Sequence, residues 1–351
     1  MHTEYLIIGQ GICGTFLSYY LQKAGKEYLV IDESKPHTAS KVASGVINPV
    51  TGRRIVRTWM IEEVMPFAVN VYTEIGSQYN VQLVKQCNIL DFHPTAQMQL
   101  AFNERLKEES YLRLPQNQQQ WNAYFNYPFS IGETNPCYLV DLRALLTVWR
   151  NQLHTNNRLI EEHFEIDALN YANRNYILYN NIKAEKIIFC DGAAGINNLF
   201  FNKLPYAQNK GEAIIARIEK LPDTNIYKQG IVLVPWEKDL FWIGSTYDWD
   251  FENINPTDAF RLKVEAQLKH WLKLDYTIME HWASLRPANM ERRPFAGLHP
   301  LYPAIGILNG MGTKGCTLGP FFANQLVNCL TQQTPIQPLA DVQRFTRILS
   351  R

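Results

Sequence analysis

The chain has 351 residues, 46% apolar and 12% aromatic, so it is long enough for two domains and can bury a large core. Its formal net charge of +1 argues against a protein whose whole surface attracts nucleic acid, although a local basic patch is compatible with it. The six cysteines form no C-x-x-C pair, so the sequence indicates neither a zinc site nor a redox dithiol, and we expect no bound metal.

The start of the chain and its hydropathy predict where the protein is found. The first predicted strand begins at Tyr5, which leaves no room for a signal peptide. No uninterrupted apolar run reaches the length of a membrane span. We therefore expect a soluble, cytoplasmic protein with reduced thiols and no membrane partner.

Residues 5–33 predict a β-α-β unit that binds a dinucleotide. An apolar strand at 5–8 runs into Gly9-Gln10-Gly11-Ile12-Cys13-Gly14, and a helical pattern then continues to Gly25. A second apolar strand at 28–31 ends in Asp32-Glu33. The G-x-G-x-x-G pattern, with an acidic residue where the second strand ends, is typical of dinucleotide sites.

Each residue of this pattern has a mechanical role. Gly9 permits the tight turn, Gly11 lets a pyrophosphate approach the backbone, and Gly14 lets the helix pack closely on the strand. The helix start at Ile12 offers free N–H groups and partial positive charge to the phosphates. Asp32 is placed to accept hydrogen bonds from a ribose diol.

The middle of the chain predicts helices and short strands around an irregular segment at 113–136, which is polar and broken by prolines. The predicted helices lie at 59–79, 95–109 and 140–153. The predicted strands lie at 160–166, 176–179 and 186–190. The last of these leads into Asp191-Gly192, and we expect it to be another parallel strand whose carboxyl end faces the nucleotide crevice.

From residue 211 the pattern changes to antiparallel β structure. The remaining predicted elements are strands at 212–218, 230–235 and 240–247, a helix at 257–272, strands at 278–285 and 304–309, a glycine-rich turn at 310–315 and a helix at 316–330. We therefore predict an α/β fold, in which a discontinuous Rossmann-like domain carries an inserted substrate domain made of an antiparallel β-sheet plus a helix.

The glycine-rich turn at 310–315 has two interpretations. One is a helix start whose glycines permit tight packing. The other is a turn that faces the redox ring of a flavin, where backbone N–H groups and Lys314 stabilise the negative charge of the reduced ring. A nicotinamide would not need such a site.

Five segments together resemble the D-amino-acid-oxidase-like superfamily of FAD-dependent oxidases, which includes glycine oxidase, sarcosine oxidase and the oxidase domain of the tRNA wobble-uridine modification enzyme. They span nearly the whole chain. The segments are Gly9 to Gly14, Ala43-Ser44-Gly45-Val46-Ile47-Asn48-Pro49, Cys190-Asp191-Gly192-Ala193, Leu285-Arg286-Pro287 through Pro294-Phe295-Ala296-Gly297, and Gly310 through Pro320.

The resemblance implies FAD as the cofactor. The residues that it implies for FAD binding are Gly9, Gly11, Ile12, Gly14, Asp32, Glu33, Ser40, Ala43, Ser44, Gly45, Val46, Asp191, Gly192, Gly312, Thr313, Lys314 and Gly315. The glycine fingerprint and Asp32 would hold the ADP half, Ser40 to Val46 would line the pyrophosphate and the flavin ring, and the last turn would lie beside the ring's pyrimidine end. The predicted FAD-binding domain comprises residues 1–60, 137–205 and 278–351, and the substrate domain comprises residues 61–136 and 206–277.

The resemblance also implies a substrate site with Arg286, Lys314 and Tyr247 as its catalytic residues. In family members the arginine of the L-R-P motif can grip a substrate carboxylate, and a guanidinium fork matches a carboxylate bidentately. A structural ion pair at a sheet edge is the alternative for Arg286. Tyr247 and Trp249 follow a predicted strand and could wall the pocket.

Some residues depart from the family pattern. Glu291 and Asn289 stand where the family usually has Asp and often has Thr. The last turn reads Met311-Gly312-Thr313-Lys314-Gly315 where glycine oxidases resemble H-x-R-N-G, so their second carboxylate-gripping arginine is missing and glycine is a doubtful substrate. The form G-x-G-[ST]-[KR]-G resembles the tRNA-modifying oxidase domain more closely.

The sequence thus predicts an FAD-dependent oxidoreductase that oxidises the C–N bond of a small amine or amino acid by hydride transfer to flavin N5. Two alternatives stay open, namely oxidation of a carboxymethylaminomethyl group of a tRNA wobble uridine and FAD binding without turnover. The basic run of Arg53, Arg54 and Arg57 fits either a solvated turn or a patch for an anionic substrate such as RNA.

Overall fold

The computed structural model describes residues 1–52, 54–172 and 175–351. The helices of the described residues are α1 (Ile12–Lys23), α2 (Ala39–Val42), α3 (Ile61–Tyr79), α4 (Ala96–Leu106), α5 (Leu142–Thr155), α6 (Asp258–Trp271), α7 (Gly315–Gln332) and α8 (Thr346–Leu349).

The strands up to the middle of the chain are β1 (His2–Ile8), β2 (Tyr28–Ile31), β3 (Val46–Ile47), β4 (Val50–Thr51), β5 (Val56–Arg57), β6 (Val84–Gln86), β7 (Asn88–Phe92), β8 (Leu112–Arg113), β9 (Ile131–Thr134) and β10 (Tyr138–Val140). The strands that follow are β11 (Leu159–Ile160), β12 (Leu169–Asn170), β13 (Ile177–Tyr179), β14 (Ile182–Phe189), β15 (Asn209–Arg217), β16 (Asn225–Gln229), β17 (Ile231–Glu237), β18 (Leu240–Gly244), β19 (Thr277–Arg286), β20 (Phe295–Leu298) and β21 (Ile305–Asn309).

Parallel strands form the centre of the first sheet in the order β11-β2-β1-β14-β21. This is the strand order of a doubly wound nucleotide-binding fold, in which the chain starts in mid-sheet and the order reverses beside the first strand. Strand β20 pairs antiparallel with β21, and β13 and β12 extend the sheet beside the start of β14. The predicted Rossmann-like β-α-β unit and the predicted parallel strand before Asp191 are therefore confirmed.

Both faces of the first sheet are buried, which explains why β1 is apolar at every position from Tyr5 to Ile8. Ile7 packs in a cluster that includes residues of α1, α3, α5 and α7. Its neighbours Leu6 and Ile8 point to the opposite face and pack with Phe201 and Val342. Because successive side chains of a strand point to opposite faces of the sheet, the apolar residues of β1 pack into two separate cores.

The second large sheet has the order β19-β15-β18-β17-β16-β7-β9-β8 and is antiparallel except where β16 meets β7. Ile214 of β15 shares a buried cluster with Phe260 and Leu268 of α6, so the helix covers one face. The adjacent residue Ile215 belongs to a different cluster on the opposite face, with Val46 packed against it. The segment that carries Val46 therefore lies between the two sheets.

Several strands, among them β7, β16 and β20, were not predicted, and two predicted segments differ from the structure. The strand predicted at 160–166 is limited to β11, because Glu161, Glu162 and His163 are exposed and only its first residues pair with β2. The segment at 113–136, predicted to be irregular, contains β9, which pairs with β7 and β8.

The division into two domains stays a prediction, and two contacts bear on its boundaries. Strand β19 pairs with β15 along Thr277–Arg286, although the predicted boundary at 278 groups it with the first sheet. Helix α3, assigned to the substrate domain, packs against α7 through a hydrogen bond of 2.9 Å from Tyr72 Oη to the carbonyl of Cys316.

Candidate functional site

The strand order reverses between β1 and β14, so a crevice opens beyond the carboxyl ends of these two strands. The fingerprint glycines lie at this point. Gly9 has a φ of +98°, and a Cβ on it would lie 2.6 Å from the carbonyl oxygen of Cys190. A Cβ on Gly14 would lie 1.8 Å from the carbonyl oxygen of Gly9, so α1 packs against β1 only with glycine here. A Cβ on Gly11 would lie 3.1 Å from Ser40 Oγ.

The carboxylate of Asp32 lies at the end of β2 beside the same turn. Its Oδ2 accepts a hydrogen bond of 2.8 Å from the backbone N–H of Gln10, and its Oδ1 accepts one of 2.8 Å from that of Ser34. Its Oδ1 also lies 2.8 Å from Nη1 of Arg150. The acid is thus fixed against the glycine turn, while its side chain keeps 21% exposure.

The adjacent acid, Glu33, is directed to other partners. Its carboxylate pairs with Lys35 at 2.6 Å and with His163 at 3.0 Å. Partial burial raises the pKa of Glu33. The hydrogen bonds and charges of Lys35 and His163 lower it by more, so the pKa lies below its ordinary value. Glu33 is therefore a charged residue engaged at the surface.

The segment from Ser40 to Val46 extends away from the start of α1. Ser40 Oγ accepts a hydrogen bond of 3.0 Å from the backbone N–H of Ile12. Gly45 has a φ of +78°, and a Cβ on it would lie 2.0 Å from the carbonyl oxygen of Val140. Val46 begins β3, which pairs with β10. Ala43 and Ser44, between these points, are half-buried and belong to no helix or strand.

The glycine-rich turn before α7 reaches the same crevice. A Cβ on Gly315 would lie 3.4 Å from Cγ2 of Ile12, so the helices α1 and α7 begin side by side. Lys314 Nζ donates a hydrogen bond of 2.6 Å to Oδ1 of Asn48, which joins the turn to the segment after Val46. Two helix N-termini together form a place where negative charge is favoured.

Lys314 is largely removed from water in this position, whereas Thr313 before it is exposed. Burial disfavours the charged ammonium and lowers the pKa of Lys314 to about 8. A nearby anion would raise this pKa again. The site therefore contains a cation whose protonation responds to the charge of a bound group.

Arg286 lies at the end of β19 with neutral partners. Its guanidinium donates to Asn209 Oδ1 at 2.6 Å, to Ser245 Oγ at 2.9 Å and to the carbonyl of Thr246 at 2.9 Å, and it lies 4.4 Å from the ring centroid of Tyr247. Among the described residues no carboxylate lies within 4.0 Å of it. Burial lowers the pKa of Arg286 from its ordinary value.

Two neighbours explain how Arg286 reaches this place. A Cβ on Gly211 would lie 2.0 Å from Nη2 of Arg286, so only glycine on β15 leaves room for the guanidinium. The carbonyl of Pro287 accepts a hydrogen bond of 3.1 Å from the N–H of Gly312. The residue that follows Arg286 in the chain thus contacts the turn before α7 directly.

Asp191 and Gly192 lie at the end of β14, close to Gly9. The Asp191 carboxylate accepts hydrogen bonds of 2.8 Å from both Asn198 and Asn309, and Asn309 also donates to the Gly192 carbonyl at 2.9 Å. Burial raises the pKa of Asp191 to about 6, although the two amides lower it.

Other predicted residues lie outside this constellation. Arg57 pairs with Glu62 and Glu109, which accounts for its charge, and Arg53 lies outside the described residues. Tyr247 and Trp249 are 56% and 62% exposed, and Tyr247 covers the Arg286 guanidinium from the solvent side. A separate surface cavity of about 480 Å³, lined by Pro94, Asn122, Phe125, Tyr127 and His270 among others, contains none of the predicted site residues.

Four residues that build the site had no predicted role, namely Gln10, Asn48, Arg150 and Gly211. Gln10 occupies the variable position of G-x-G, where the pattern specifies nothing. Arg150 is far from Asp32 in sequence, and only the packing of α5 brings the two together. Gly211 directly precedes the strand predicted at 212–218, and only in the structure does it lie inside a strand, where a glycine often marks a close approach.

The chain belongs to a family of FAD-dependent oxidoreductases. The family model described as FAD dependent oxidoreductase, DAO, matches residues 4–328. The glycine turn, Asp32 at the end of β2 and the paired helix N-termini fit FAD, the cofactor of that family.

Curated relatives agree with this family. The chain is 24% identical over 402 residues to the tRNA 5-methylaminomethyl-2-thiouridine biosynthesis bifunctional protein MnmC of Legionella pneumophila, and the alignment covers 97% of this chain and 56% of that protein. It is 26% identical over 161 residues to a glycine oxidase of Pseudomonas aeruginosa, and this alignment covers 44% of each chain. The chain thus spans about half the length of the curated relatives that it matches.

Solved structures share the fold. Iminodiacetate oxidase from Chelativorans matches with a TM-score of 0.79 at 19% identity, over 96% of this chain and 98% of that one. Glycine oxidase from Bacillus cereus matches with a TM-score of 0.77 at 16% identity, over 95% and 96%. In the described part of the chain, no helix combines the length and the apolar composition that crossing a bilayer requires.

Proposed function

We propose that the protein oxidises the C–N bond of a small amine or amino acid that carries a carboxylate. The observation that carries this proposal is Arg286, a half-buried guanidinium whose hydrogen-bond partners are all neutral. The carboxylate of Asp248 acts on it only from a distance. A guanidinium without a directly paired acid is suited to a carboxylate ligand.

FAD would be held between the two chain ends. Gly9, Gly11, Gly14 and Asp32 would hold its ADP half, because the turn allows close approach and α1 offers N–H groups to phosphates. The segment Ser40–Val46 would lie along the pyrophosphate and the ring, with Asp191 and Gly192 at the end of β14. Residues Gly312–Gly315 would lie beside the electron-rich edge of the ring, since α7 begins next to α1.

When bound, FAD supplies the acceptor for the hydride that leaves the carbon next to nitrogen. The protein residues would then supply alignment and charge. Arg286 would fix the substrate carboxylate, Tyr247 would cover the guanidinium, and Lys314 would stabilise negative charge near the turn. No strong base is needed for the amine to react, and the imine product would hydrolyse in water.

The named substrates of similar proteins support this substrate class. Glycine and iminodiacetate each carry a carboxylate one carbon from an amine nitrogen, which is the spacing that a carboxylate grip beside a hydride acceptor requires. The missing second arginine in the turn 311–315 argues for a substrate other than glycine itself. An N-substituted amino acid therefore fits the residues best.

Anaerobic titration tests the proposal. The purified protein should lose its yellow colour when mixed with N-substituted amino acids, and less readily with the matching amines that lack the carboxylate. Replacing Arg286 by Met should raise the KM for the carboxylate substrates by about 10- to 100-fold, which corresponds to a lost charged hydrogen bond. Arg286→Lys keeps a charge without the fork and serves as the matched control. Failure of every amine to bleach the flavin, or an unchanged KM in Arg286→Met, would overturn the proposal.

A second candidate is the oxidation of a carboxymethylaminomethyl group on tRNA. It is favoured by the alignment with MnmC, which covers 97% of this chain, and by the exposure of Tyr247 beside Arg286. Exposed cations at Arg54 and Arg292 could meet phosphates. Retention of labelled tRNA that weakens as salt rises would support this candidate, whereas absence of retention at low salt would exclude it.

A further inference from the structure

Arg150 lies among three acceptors near the proposed adenosine end of the site. Its Nη1 donates to Asp32 Oδ1 at 2.8 Å and to Gln10 Oε1 at 3.0 Å. Its Nε and Nη2 both donate to Oε1 of Glu161, at 3.1 Å and 2.5 Å. The Arg150 side chain is 16% exposed, so these are partly buried contacts.

Helix α5 fixes the position of this arginine. Trp149, the residue before it, is fully buried and donates its Nε1–H to Ser18 Oγ of α1 at 2.8 Å. One turn earlier, the carbonyl of Leu146 accepts a hydrogen bond of 3.2 Å from Gln10 Nε2. Because α5 is joined to both α1 and the glycine turn, Arg150 has little freedom to move away from Asp32.

The same contacts organise the two halves of the nucleotide fingerprint. Gln10 lies inside G-x-G and its backbone N–H binds Asp32 Oδ2, while its side chain meets Arg150. Arg150 occupies Oδ1 of the same carboxylate. The orientation of Asp32 is therefore set from both sides, and a bidentate-capable guanidinium holds it more firmly than an ammonium would.

We infer that Arg150 is a positioning residue for FAD binding, which acts through Asp32 by holding its carboxylate in the orientation that accepts the ribose hydroxyls. The inference rests on the proposed assignment of Asp32 to the ribose. Glu161 balances the second half of the guanidinium, so that Arg150 keeps a partner when Asp32 is neutralised.

The experiment is a double-mutant cycle on the dissociation constant of FAD. The full-length protein is stripped of FAD, and the quenching of flavin fluorescence is followed as FAD is titrated with Arg150→Ala, Asp32→Asn and the double variant. We expect Arg150→Ala to raise the Kd for FAD by about 10- to 100-fold, as for a lost charge-assisted hydrogen bond. The double variant should bind FAD no more weakly than Asp32→Asn alone, because a residue that acts through Asp32 has nothing left to position.

Arg158→Ala is the matched control. Arg158 lies just after the end of α5. It donates to the Tyr28 carbonyl at 3.1 Å and pairs with Glu27 at 3.1 Å, away from Asp32. It should leave the Kd for FAD unchanged. If Arg150→Ala does not fold, Arg150→Lys takes its place, with a smaller rise in Kd expected.

The outcomes separate this inference from the proposed function. The positioning role would be overturned if the increases in Kd caused by Arg150→Ala and Asp32→Asn multiplied in the double variant. It would also be overturned if a folded Arg150 variant bound FAD with an unchanged Kd. An unchanged Kd in Asp32→Asn would overturn the ribose assignment itself. Substrate bleaching is followed separately in the unmodified protein, and its absence there would count against the proposed function and not against the positioning of Asp32.

Discussion

Lys314 makes the folded protein less stable at neutral pH, while its proposed role is to stabilise negative charge on the flavin. Its pKa of about 8 lies below its ordinary value of 10.5 because burial disfavours the ammonium. Below pH 8 the folded apoprotein contains a buried charge that the unfolded chain exposes to water. Between pH 8 and pH 10.5 Lys314 gives up its proton in the folded state but keeps it in the unfolded chain. The free energy of unfolding therefore rises with pH over this range.

Replacement of Lys314 by Met should therefore stabilise the apoprotein at pH 7 by roughly 1–3 kcal/mol, and the difference from the natural protein should shrink towards pH 10.5. The same variant should reduce its flavin more slowly, because positive charge near the turn is lost. Urea unfolding at pH 7 and pH 10 measures the first effect, and stopped-flow bleaching measures the second. Lys23→Met removes an exposed lysine paired with Glu74 and should leave the pH dependence unchanged. A Lys314 variant destabilised equally at both pH values would contradict the argument.

Single residues also define what the sequence could predict. Gly9, Gly14 and Asp32 were identifiable because each does a job that depends on one residue type at a fixed spacing. Arg150 and Gly211 were not, because their importance depends on which side chain another part of the chain brings within reach.

At the scale of elements, α1 depends on its close approach to β1. A Cβ at Gly14 would meet the Gly9 carbonyl at 1.8 Å, whereas a Cβ at Gly319 of α7 would lie no closer than 3.5 Å to any neighbour. Gly14→Ala should therefore shift the start of α1, lower stability by about 1–3 kcal/mol and weaken FAD binding. Gly319→Ala should be neutral or stabilising by up to about 1 kcal/mol, since alanine favours helices. Thermal unfolding and FAD titration of both variants check this, and equal effects at the two glycines would refute it.

The long helices and the central strands were predictable from periodicity, with ends displaced by a few residues. Helix α6, predicted at 257–272, spans Asp258–Trp271, and its N-cap Thr257 accepts a hydrogen bond from the Phe260 N–H. Strand β9 was missed because its four residues follow a proline-broken segment, and it forms only through pairing with β7 and β8. Short strands of this kind depend on partners that are distant in sequence.

The whole molecule brings distant parts of the chain to one crevice. Residues 9–14, 40–48, 286–287 and 310–315 are connected by contacts between Ile12 and Ser40, Asn48 and Lys314, and Pro287 and Gly312. The convergence of both chain ends was predicted from the order of the motifs, and the adjacency of Ile12 and Gly315 agrees with it. The identity of the substrate could not be predicted, because it depends on the walls of a site assembled from several loops.

This arrangement predicts that FAD should stabilise the molecule as one unit. A ligand that contacts segments from both ends binds only the folded state, so FAD at 100 times its Kd should raise the free energy of unfolding by about 2.7 kcal/mol. Hydrogen exchange should slow in residues 9–14 and 40–48 and, to a similar degree, in residues 310–318, because the same ligand holds all three. Residues 119–127, next to the separate surface cavity, should be protected less than these segments, because FAD reaches them only through the gain in global stability, and they provide the internal reference. Protection confined to the N-terminal segments would mean that the turn before α7 does not contact the cofactor, and the role assigned to Lys314 would then fail with it.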